Sequence, residues 1–335
     1  MNSEDQIHAA GRTHVGQRRE DNQDQFLIAE LRKSMQIHQT SLALDEESTL
    51  FGGRNGQLLV VADGMGGHAS GRRASNLAVD HLITQLLNNV HWFLHLDEER
   101  DQSFIDSLKS LLERTNLKLL NESKQSEEDR GMGTTLTVAY IVWPRMYVVH
   151  AGDSRCYLVR SGQCSQITTD HTLARQLVDA GSMKPEDEAT SRWSNVLWNV
   201  LGGHGENQFT AQVVRVDLLP NDTVILCSDG LSRYVDPNTM VSVVDQFGTD
   251  LQGMTDHLIQ IANEAGGVDN ITVVVGQPGA NQPERDTVEP SRTVPLVRLD
   301  DESDLQSDQA SSMSLQDLQR FANEDTLPDE RDRQR

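Results

Sequence analysis

Residues 58–71, with the sequence LLVVADGMGGHASG, constrain the fold more than any other part of the chain. The four apolar residues at the start of this stretch are typical of a strand covered on both faces, and they run directly into Asp63. A carboxylate at the end of a buried strand needs a positive partner. The glycines that follow let the backbone turn sharply and bring its carbonyl groups close to that partner. No Lys follows them, as a phosphate-binding loop would require, so the pattern favours a cation site.

The composition argues against several classes of protein. A formal net charge of −22 argues against nucleic acid and anionic membranes as partners, because both are bound through basic patches. The three cysteines lack Cys-x-x-Cys spacing, so they indicate neither a disulfide framework nor a zinc site, and they fit a reducing cytoplasm. Because there is no signal-peptide pattern and no apolar run of about 18 residues, we expect a soluble, cytoplasmic protein, and a monomer.

The order of the predicted elements indicates an α+β domain. Helical spacing of apolar residues occurs over 72–95, 102–121 and within 238–265, and β-rich runs occur at 26–29, 135–143, 146–151, 156–160, 213–219, 223–228 and 271–276. Groups of strands separated by pairs of helices predict a layered domain with helices outside antiparallel sheets. Residues 30–56 and 181–208 are predicted to be long irregular segments.

The composition changes near residue 280. Residues 281–335 contain few large apolar side chains and many Asp, Glu, Ser, Gln and Pro, which is typical of disorder. We therefore predict a catalytic domain over residues 1–280 and a disordered acidic tail over residues 281–335.

Four acidic residues share one position relative to the predicted strands. Each lies where a β-rich run ends or begins, next to Gly, Ser or Asn: Asp63 in VADG, Asp153 in AGDS, Asp229 in CSDG and Asp269 in VDNI. Any one of them has an ordinary explanation as a turn residue. If the strands share a sheet system, however, their ends converge, and converging carboxylates repel one another unless cations lie between them. Oxygen ligands without a His or Cys pattern favour Mg²⁺ or Mn²⁺ over zinc.

A segment near the start of the chain supplies a candidate phosphate ligand. In RREDNQDQF, residues 18–26, two arginines precede a run of acids and amides. A guanidinium group is suited to gripping a phosphate beside the cations. The alternative is a solvated charged loop, and the local sequence leaves both interpretations open.

Together these motifs resemble the metal-dependent Ser/Thr protein phosphatases of type 2C, in their bacterial form. Seven motifs follow one another in family order: RREDNQD (18–24), VADGMGGHASG (61–71), GMGTTLTVAYI (131–141), HAGDSRCYLV (150–159), TTDHTL (168–173), LCSDGL (226–231) and GVDNITVVV (267–275). The resemblance implies a four-layer αββα sandwich of antiparallel sheets flanked by helix pairs. It also implies a two-metal site at one end of the sheets.

The resemblance assigns metal ligands in this sequence. Asp63 would bridge two Mn²⁺ or Mg²⁺ ions, with the Gly64 carbonyl on one of them. Asp229 and Asp269 would hold the other ion, and Asp153 would bind a third, weaker one. Three carboxylates against two divalent cations leave a charge of about +1, which would attract a phosphate dianion and acidify a bridging water.

The resemblance also assigns residues that do not bind metal directly. Arg19 would bind the phosphate, and Asp24 would orient metal-bound water. The chain departs from the family at two positions. Met65 stands where eukaryotic relatives often carry a His proposed as general acid, and the nearest His, His68, would either shape the loop or help to protonate the leaving group. Gln23 stands where many members have a metal-binding Glu, and its neutral amide would weaken that site.

The implied function is hydrolysis of phosphoserine and phosphothreonine in proteins, in opposition to a bacterial Ser/Thr kinase. A hydroxide activated by two metal ions would attack in line, without a phosphoenzyme. The alternatives are a catalytically silent relative that binds phosphoproteins as a regulator, and a metal phosphohydrolase of small molecules.

Other residues in the motifs have structural interpretations. We interpret His171 and the threonine pair 134–135 as packing residues. Residues 181–208 fall where this family has a variable flap beside the active site. Trp193 and Trp198 in this segment would either contact a phosphoprotein substrate or form a small satellite core.

Overall fold

The computed structural model describes residues 7–39, 49–51, 55–88, 101–203 and 209–279. The predicted tail at 281–335 lies outside these ranges, as do the last part of the first predicted helix and the end of the predicted flap. Within the described ranges, none of the helices combines the length and the apolar character needed to cross a bilayer.

Two five-stranded antiparallel sheets form the centre of the fold. The first contains, in spatial order, β1 (Ile7–His14), β15 (Ile271–Pro278), β14 (Thr223–Cys227), β10 (Arg155–Arg160) and β11 (Gln163–Gln166). The second contains β13 (Gln212–Asp217), β9 (Arg145–Ala151), β8 (Leu136–Val142), β5 (Gly56–Ala62) and β2 (Gln25–Leu31). Two small sheets are formed by β12 (Leu201–Gly202), β7 (Gly133–Thr134) and β6 (Gly64–Met65), and by β3 (Ser34–Gln36) and β4 (Thr49–Phe51).

The four longest helices lie on the outer faces of the two large sheets. In chain order the helices are α1 (His68–Asn88), α2 (Asp101–Glu122), α3 (Leu173–Asp179), α4 (Asp229–Ser232), α5 (Pro237–Phe247) and α6 (Leu251–Glu264), with a short 3₁₀ helix at Pro185–Asp187. Side chains cap the N-termini of three of them: Thr172 accepts from the Arg175 N–H, Asp236 from the Asn238 and Thr239 N–H groups, and Asp250 from the Gly253 N–H. These caps fix where the helices begin.

Three apolar clusters separate the four layers. One lies between α1, α2 and the second sheet, one between the two sheets, and one between the first sheet and α5 and α6. Strand β5 contributes to two of them, because Leu58, Val60 and Ala62 face the helices while Leu59 and Val61 face the other sheet. The predicted αββα sandwich and the predicted two-sided burial of this strand are therefore confirmed.

The sequence prediction missed several short strands, among them those of the small sheet formed by β6, β7 and β12, and one helix start. Strands β3 and β4 pair within the segment 30–56, which was predicted to be irregular, and β11 pairs with β10. Both β3 and β11 are short and mostly exposed, so backbone pairing sets their structure rather than a buried hydrophobic face. Helix α1 begins at His68, inside the glycine-rich stretch that the prediction assigned to a loop.

Candidate active site

A cavity of about 840 Å³ opens where β5 and β14 end and where β15 begins. Its walls bring together most of the predicted site residues: Arg19, Asp63, Gly64, Asp153, Asp229 and Asp269. Two predicted residues differ. Asp24 does not line the cavity, and the side chain of His68 lies outside the described residues. The strand ends converge as the sequence predicted.

Two threonines hold the backbone of Asp63 in place. The Asp63 N–H donates to Thr135 Oγ1 at 2.9 Å, and the Thr134 hydroxyl donates to the Asp63 carbonyl oxygen at 2.8 Å. The Thr135 N–H donates to the same carbonyl oxygen at 2.9 Å. The threonine pair thus has the structural role predicted for it, and the structure shows what it supports. Asp63 is presented to the cavity by a rigid backbone.

Gly64 lies where the backbone passes very close to other chain segments. It pairs with Thr134 between β6 and β7, and a Cβ built on it would stand 2.2 Å from the Gly71 carbonyl oxygen and 2.8 Å from the Gln23 carbonyl oxygen. Only a residue without a side chain fits there.

We expect Gly64→Ala to destabilise the protein by about 1–3 kcal/mol, since a backbone oxygen would have to shift to admit the new methyl group. The matched control is Gly67→Ala in the same stretch, where the nearest atom to a new Cβ is Ser70 Oγ at 3.8 Å. That substitution should change stability by less than about 0.5 kcal/mol. Denaturant titration of both variants checks the difference, and equal midpoints would contradict this account of Gly64.

The acidic residues around the cavity raise one another's pKa. Burial raises the pKa of Asp63 well above its usual range, and the charges of Asp24, Asp229, Asp153 and Asp269 raise it further. Burial raises the pKa of Asp24 and Asp153 to about 7, and that of Asp229 also rises, chiefly through burial. At neutral pH the cluster therefore holds protons unless cations replace them.

Arg19 and Asn270 organise the loop that follows β1. Arg19 Nη2 donates to Asp269 Oδ2 at 2.8 Å, so the predicted phosphate ligand contacts a predicted metal ligand. The Asn270 amide donates to the carbonyl oxygens of Val15 and Asp21, both at 2.9 Å, and its Oδ1 accepts from the Gln23 N–H at 2.8 Å. Sequence reasoning missed this role of Asn270, although an amide directly after Asp269 was visible. Asn270 positions the loop that carries Arg19.

Asp24 lies behind the cavity wall. It is 2% exposed, and its Oδ2 accepts from the hydroxyls of Ser228 at 2.8 Å and Thr272 at 2.7 Å, while Oδ1 is buried without a hydrogen-bond partner. Its neighbour Gln23 faces the cavity instead, as expected from the alternation of side chains along extended backbone. The predicted role of Asp24 in orienting water stays a prediction.

The predicted flap contributes one wall of the cavity through residues 195–197. Its base is tied to the sheet by His171, whose Nδ1 accepts from the Gly152 N–H at 3.1 Å and lies 2.9 Å from the Asn199 amide nitrogen. The Trp198 ring packs on His171 with 5.2 Å between ring centroids, which favours the satellite-core interpretation for this tryptophan. His171 is thus a packing residue that joins the flap to the strand end carrying Asp153.

The donor set fits a hard divalent cation. Among the residues that the structure describes, no three His, Cys, Asp or Glu side chains already surround a point suited to an ion. Arg19 holds one oxygen of Asp269, and Arg233 holds one oxygen of Asp229. The other oxygen of Asp229, Oδ1, is buried without a hydrogen-bond partner, and Asp63 lines the same cavity. Crowded carboxylate oxygens of this kind suit Mg²⁺ or Mn²⁺.

Comparisons with known proteins agree with this site. A sequence profile described as Protein phosphatase 2C matches residues 36–266. The chain is 35% identical over 235 residues to the serine/threonine protein phosphatase PstP of Mycobacterium tuberculosis, which covers 70% of this chain and 42% of PstP. It is 32% identical over 232 residues to the serine/threonine phosphatase stp of Listeria monocytogenes, which covers 69% of this chain and 88% of that relative.

Solved structures show the same fold. The serine/threonine phosphatase of S. agalactiae superposes with a TM-score of 0.67 at 28% identity, covering 82% of this chain and all of that one. The catalytic domain of PstP in complex with two manganese ions gives a TM-score of 0.61 at 28% identity, covering 81% of this chain and 97% of that domain. The profile match and the identity to a relative covered over most of its length establish that the chain belongs to the protein phosphatase 2C family.

Proposed function

We propose that this chain is a metal-dependent protein serine/threonine phosphatase that hydrolyses phosphoserine and phosphothreonine. The observation that carries the proposal is the gathering of four strand-end carboxylates and Arg19 on one cavity. The named relatives from M. tuberculosis and L. monocytogenes, both Ser/Thr phosphatases, support it. The chain spans 42% of the length of the first of these relatives, so the activity is proposed from the catalytic region.

Asp63, the Gly64 carbonyl, Asp229 and Asp269 would hold two Mn²⁺ or Mg²⁺ ions, and Asp153 is the proposed ligand of a third, weaker one. When bound, such ions lower the pKa of water and stabilise the charge that develops on a transferring phosphoryl group. The manganese ions in the PstP structure support Mn²⁺ as one of the metals.

The chain's own residues supply binding and orientation. The side chain of Arg19 is half-exposed at the cavity, where its fork of N–H donors is suited to binding a phosphate dianion. Asn270 keeps the Arg19 loop in place, and the threonine pair keeps Asp63 in place. Residues 195–197 form the wall against which the polypeptide next to the phosphorylated residue would lie.

The cysteines contribute nothing to this chemistry. All three lie in the described ranges, and none of them lines the cavity. Burial raises the pKa of Cys156, Cys164 and Cys227, so each is a neutral thiol at pH 7. These observations argue against a cysteine nucleophile.

We expect Arg19→Ala to lower kcat/KM on a phosphothreonine peptide by roughly 10- to 100-fold, which corresponds to the loss of a hydrogen bond to a charged group. Arg18→Ala, the matched change next to it in the chain, should cost less. Steady-state kinetics with Mn²⁺ check this on proteins shown by circular dichroism to be folded.

Two outcomes would overturn the proposal rather than the role of one residue. Absence of Mn²⁺-dependent turnover in the parent protein would favour the silent phosphoprotein-binding regulator. Faster turnover of small phosphomonoesters than of phosphopeptides would favour the phosphohydrolase of small molecules. Parental kcat/KM in folded Arg19→Ala protein would remove the phosphate-binding role of that arginine.

The domain boundaries, the substrates and partners, and the location of the protein are also proposals. We infer a catalytic domain over 1–280 and a tail over 281–335, supported by the end of the family profile at residue 266 and by the change of composition. Phosphorylated proteins are the proposed substrates, and a Ser/Thr kinase is the proposed opposing partner. A cytoplasmic monomer without nucleic-acid or membrane partners fits the net charge of −22 and the reduced cysteines.

A further inference from the structure

Arg233 is a cationic residue of the cavity that the motifs did not reveal. Helix α4 begins at Asp229, directly after β14, and Arg233 follows the last residue of this helix. Its guanidinium donates to Asp229 Oδ2 across one helical turn, and its side chain is 37% exposed. It lines the same cavity as Asp153 and Asp63, so the site contains a second guanidinium in addition to Arg19.

The contact with Arg233 gives the two carboxylate oxygens of Asp229 different surroundings. Oδ2 is occupied by the guanidinium, while Oδ1 is buried and has no hydrogen-bond partner. Arg233 therefore occupies one oxygen of Asp229 and leaves the other open to an ion in the cavity that Asp63 also lines.

Arg233 adds positive charge to the cavity, and this affects the binding of further cations. Four aspartates, Asp63, Asp153, Asp229 and Asp269, face two guanidinium groups, Arg19 and Arg233. Two divalent cations would already leave this set positive. A further ion beside Asp153 would meet the charge of Arg233, because both side chains line the same cavity and Arg233 is paired with Asp229 there.

We propose that Arg233 is a built-in cation of the metal centre, which positions Asp229 and competes with a third divalent ion at Asp153. The inference rests on the proposed metal-dependent function. It adds that a side chain of this protein sets the affinity for the third ion, and that the centre works with two tightly bound ions.

The test counts Mn²⁺ ions on the full chain by equilibrium dialysis and titration calorimetry. The parent should bind two ions tightly. Arg233→Gln should bind a third ion at least about tenfold more tightly than the parent does, because the repulsion from the guanidinium is gone. Arg233→Lys keeps the charge and should behave like the parent. Arg130→Gln, which removes an exposed arginine paired with Glu127, is the matched control and should also behave like the parent.

A double variant locates the additional ion. Asp153→Asn combined with Arg233→Gln should lose the third ion and keep the first two. Persistence of the third ion in the double variant would overturn the proposal, as would equal third-ion affinity in the parent and Arg233→Gln.

If Arg233→Gln does not fold, the parent and Arg233→Lys still decide the question. A third ion bound by the parent as tightly as the first two would overturn the proposal, and a clearly weaker one in both proteins would support it. Ion binding is measured without substrate, so a parent that binds Mn²⁺ but shows no turnover would overturn the proposed function alone.

Discussion

Asp63→Asn is expected to lower Mn²⁺-dependent hydrolysis of a phosphothreonine peptide by at least about 100-fold, since even outer-shell changes at metal sites cost 10–100-fold. The same variant should raise the melting temperature of the metal-free protein at pH 8. Asp63 lies among Asp24, Asp153 and Asp229, and each of these charges raises its pKa. An asparagine removes one repelling charge from this cluster. A gain of about 1 kcal/mol would raise the melting temperature by about 2–4 °C.

Asp222→Asn is the matched control for this prediction. Asp222 is 1% exposed, but its carboxylate pairs with Arg160 at 2.6 Å, away from the cavity. Neutralising it breaks a favourable ion pair, so the melting temperature should fall while hydrolysis still depends on Mn²⁺. Melting curves in EDTA and initial rates in Mn²⁺ distinguish the two variants. A lower metal-free melting temperature for Asp63→Asn would contradict the repulsion inferred at the site.

The stabilisation of the protein by Mn²⁺ is expected to increase steeply as the pH rises from about 5.5 to 8. In the metal-free native state Asp24 and Asp153 have a pKa of about 7, against 3.8 for an ordinary aspartate. The unfolded chain loses these protons first, so their contribution to stability falls as the pH rises from about 4 to 7. Mn²⁺ must displace protons from its ligands Asp63 and Asp229, whose pKa values are also raised. Its charge also favours loss of the protons of Asp24 and Asp153 nearby, so it binds more tightly as the pH rises. Each displaced proton changes the binding free energy by about 1.4 kcal/mol per pH unit below the pKa.

The measurement is the difference between melting curves with and without Mn²⁺ at each pH. The difference is needed because two histidines also make the metal-free curve depend on pH. Burial lowers the pKa of His150 to about 3 and that of His171 to about 4. These histidines oppose the aspartates in the metal-free curve, since their contribution to stability rises with pH up to about 6.5. The contributions of the two histidines are the same in both curves and cancel in the difference, whereas the contribution of the aspartates remains. A Mn²⁺ effect independent of pH would show that the metal displaces no protons from the cluster.

The sequence predicted those parts of the site that a strand pattern defines. The apolar run before Asp63 specifies a buried strand, and a strand must deliver its last residue to the edge of the sheet. The same logic placed Asp153, Asp229 and Asp269 at one cavity, where the structure puts them. The layered α+β fold followed from the grouping of strands and helices.

The residues that sequence reasoning missed depend on contacts across the fold. Arg233 acts on Asp229 only because a single helical turn brings positions four apart together, and α4 is too short to show a helical pattern. Asn270 acts through three backbone groups of a loop more than 240 residues away in the chain. Asp24 lies in a recognised motif, yet its side chain points to the buried hydroxyls of Ser228 and Thr272. No local sequence pattern indicates such distant partners.

The two-sided burial of β5 has a consequence for how the ions bind. A shift of this strand by one residue would exchange the side chains that face α1 and α2 with those that face the other sheet, and both apolar clusters would be disrupted. The register is therefore fixed by packing, and with it the position of Asp63. The free energy that gathers mutually repelling carboxylates comes from folding of the sandwich. An arriving ion therefore meets carboxylates whose backbone positions are already fixed, and it has only to reorient their side chains.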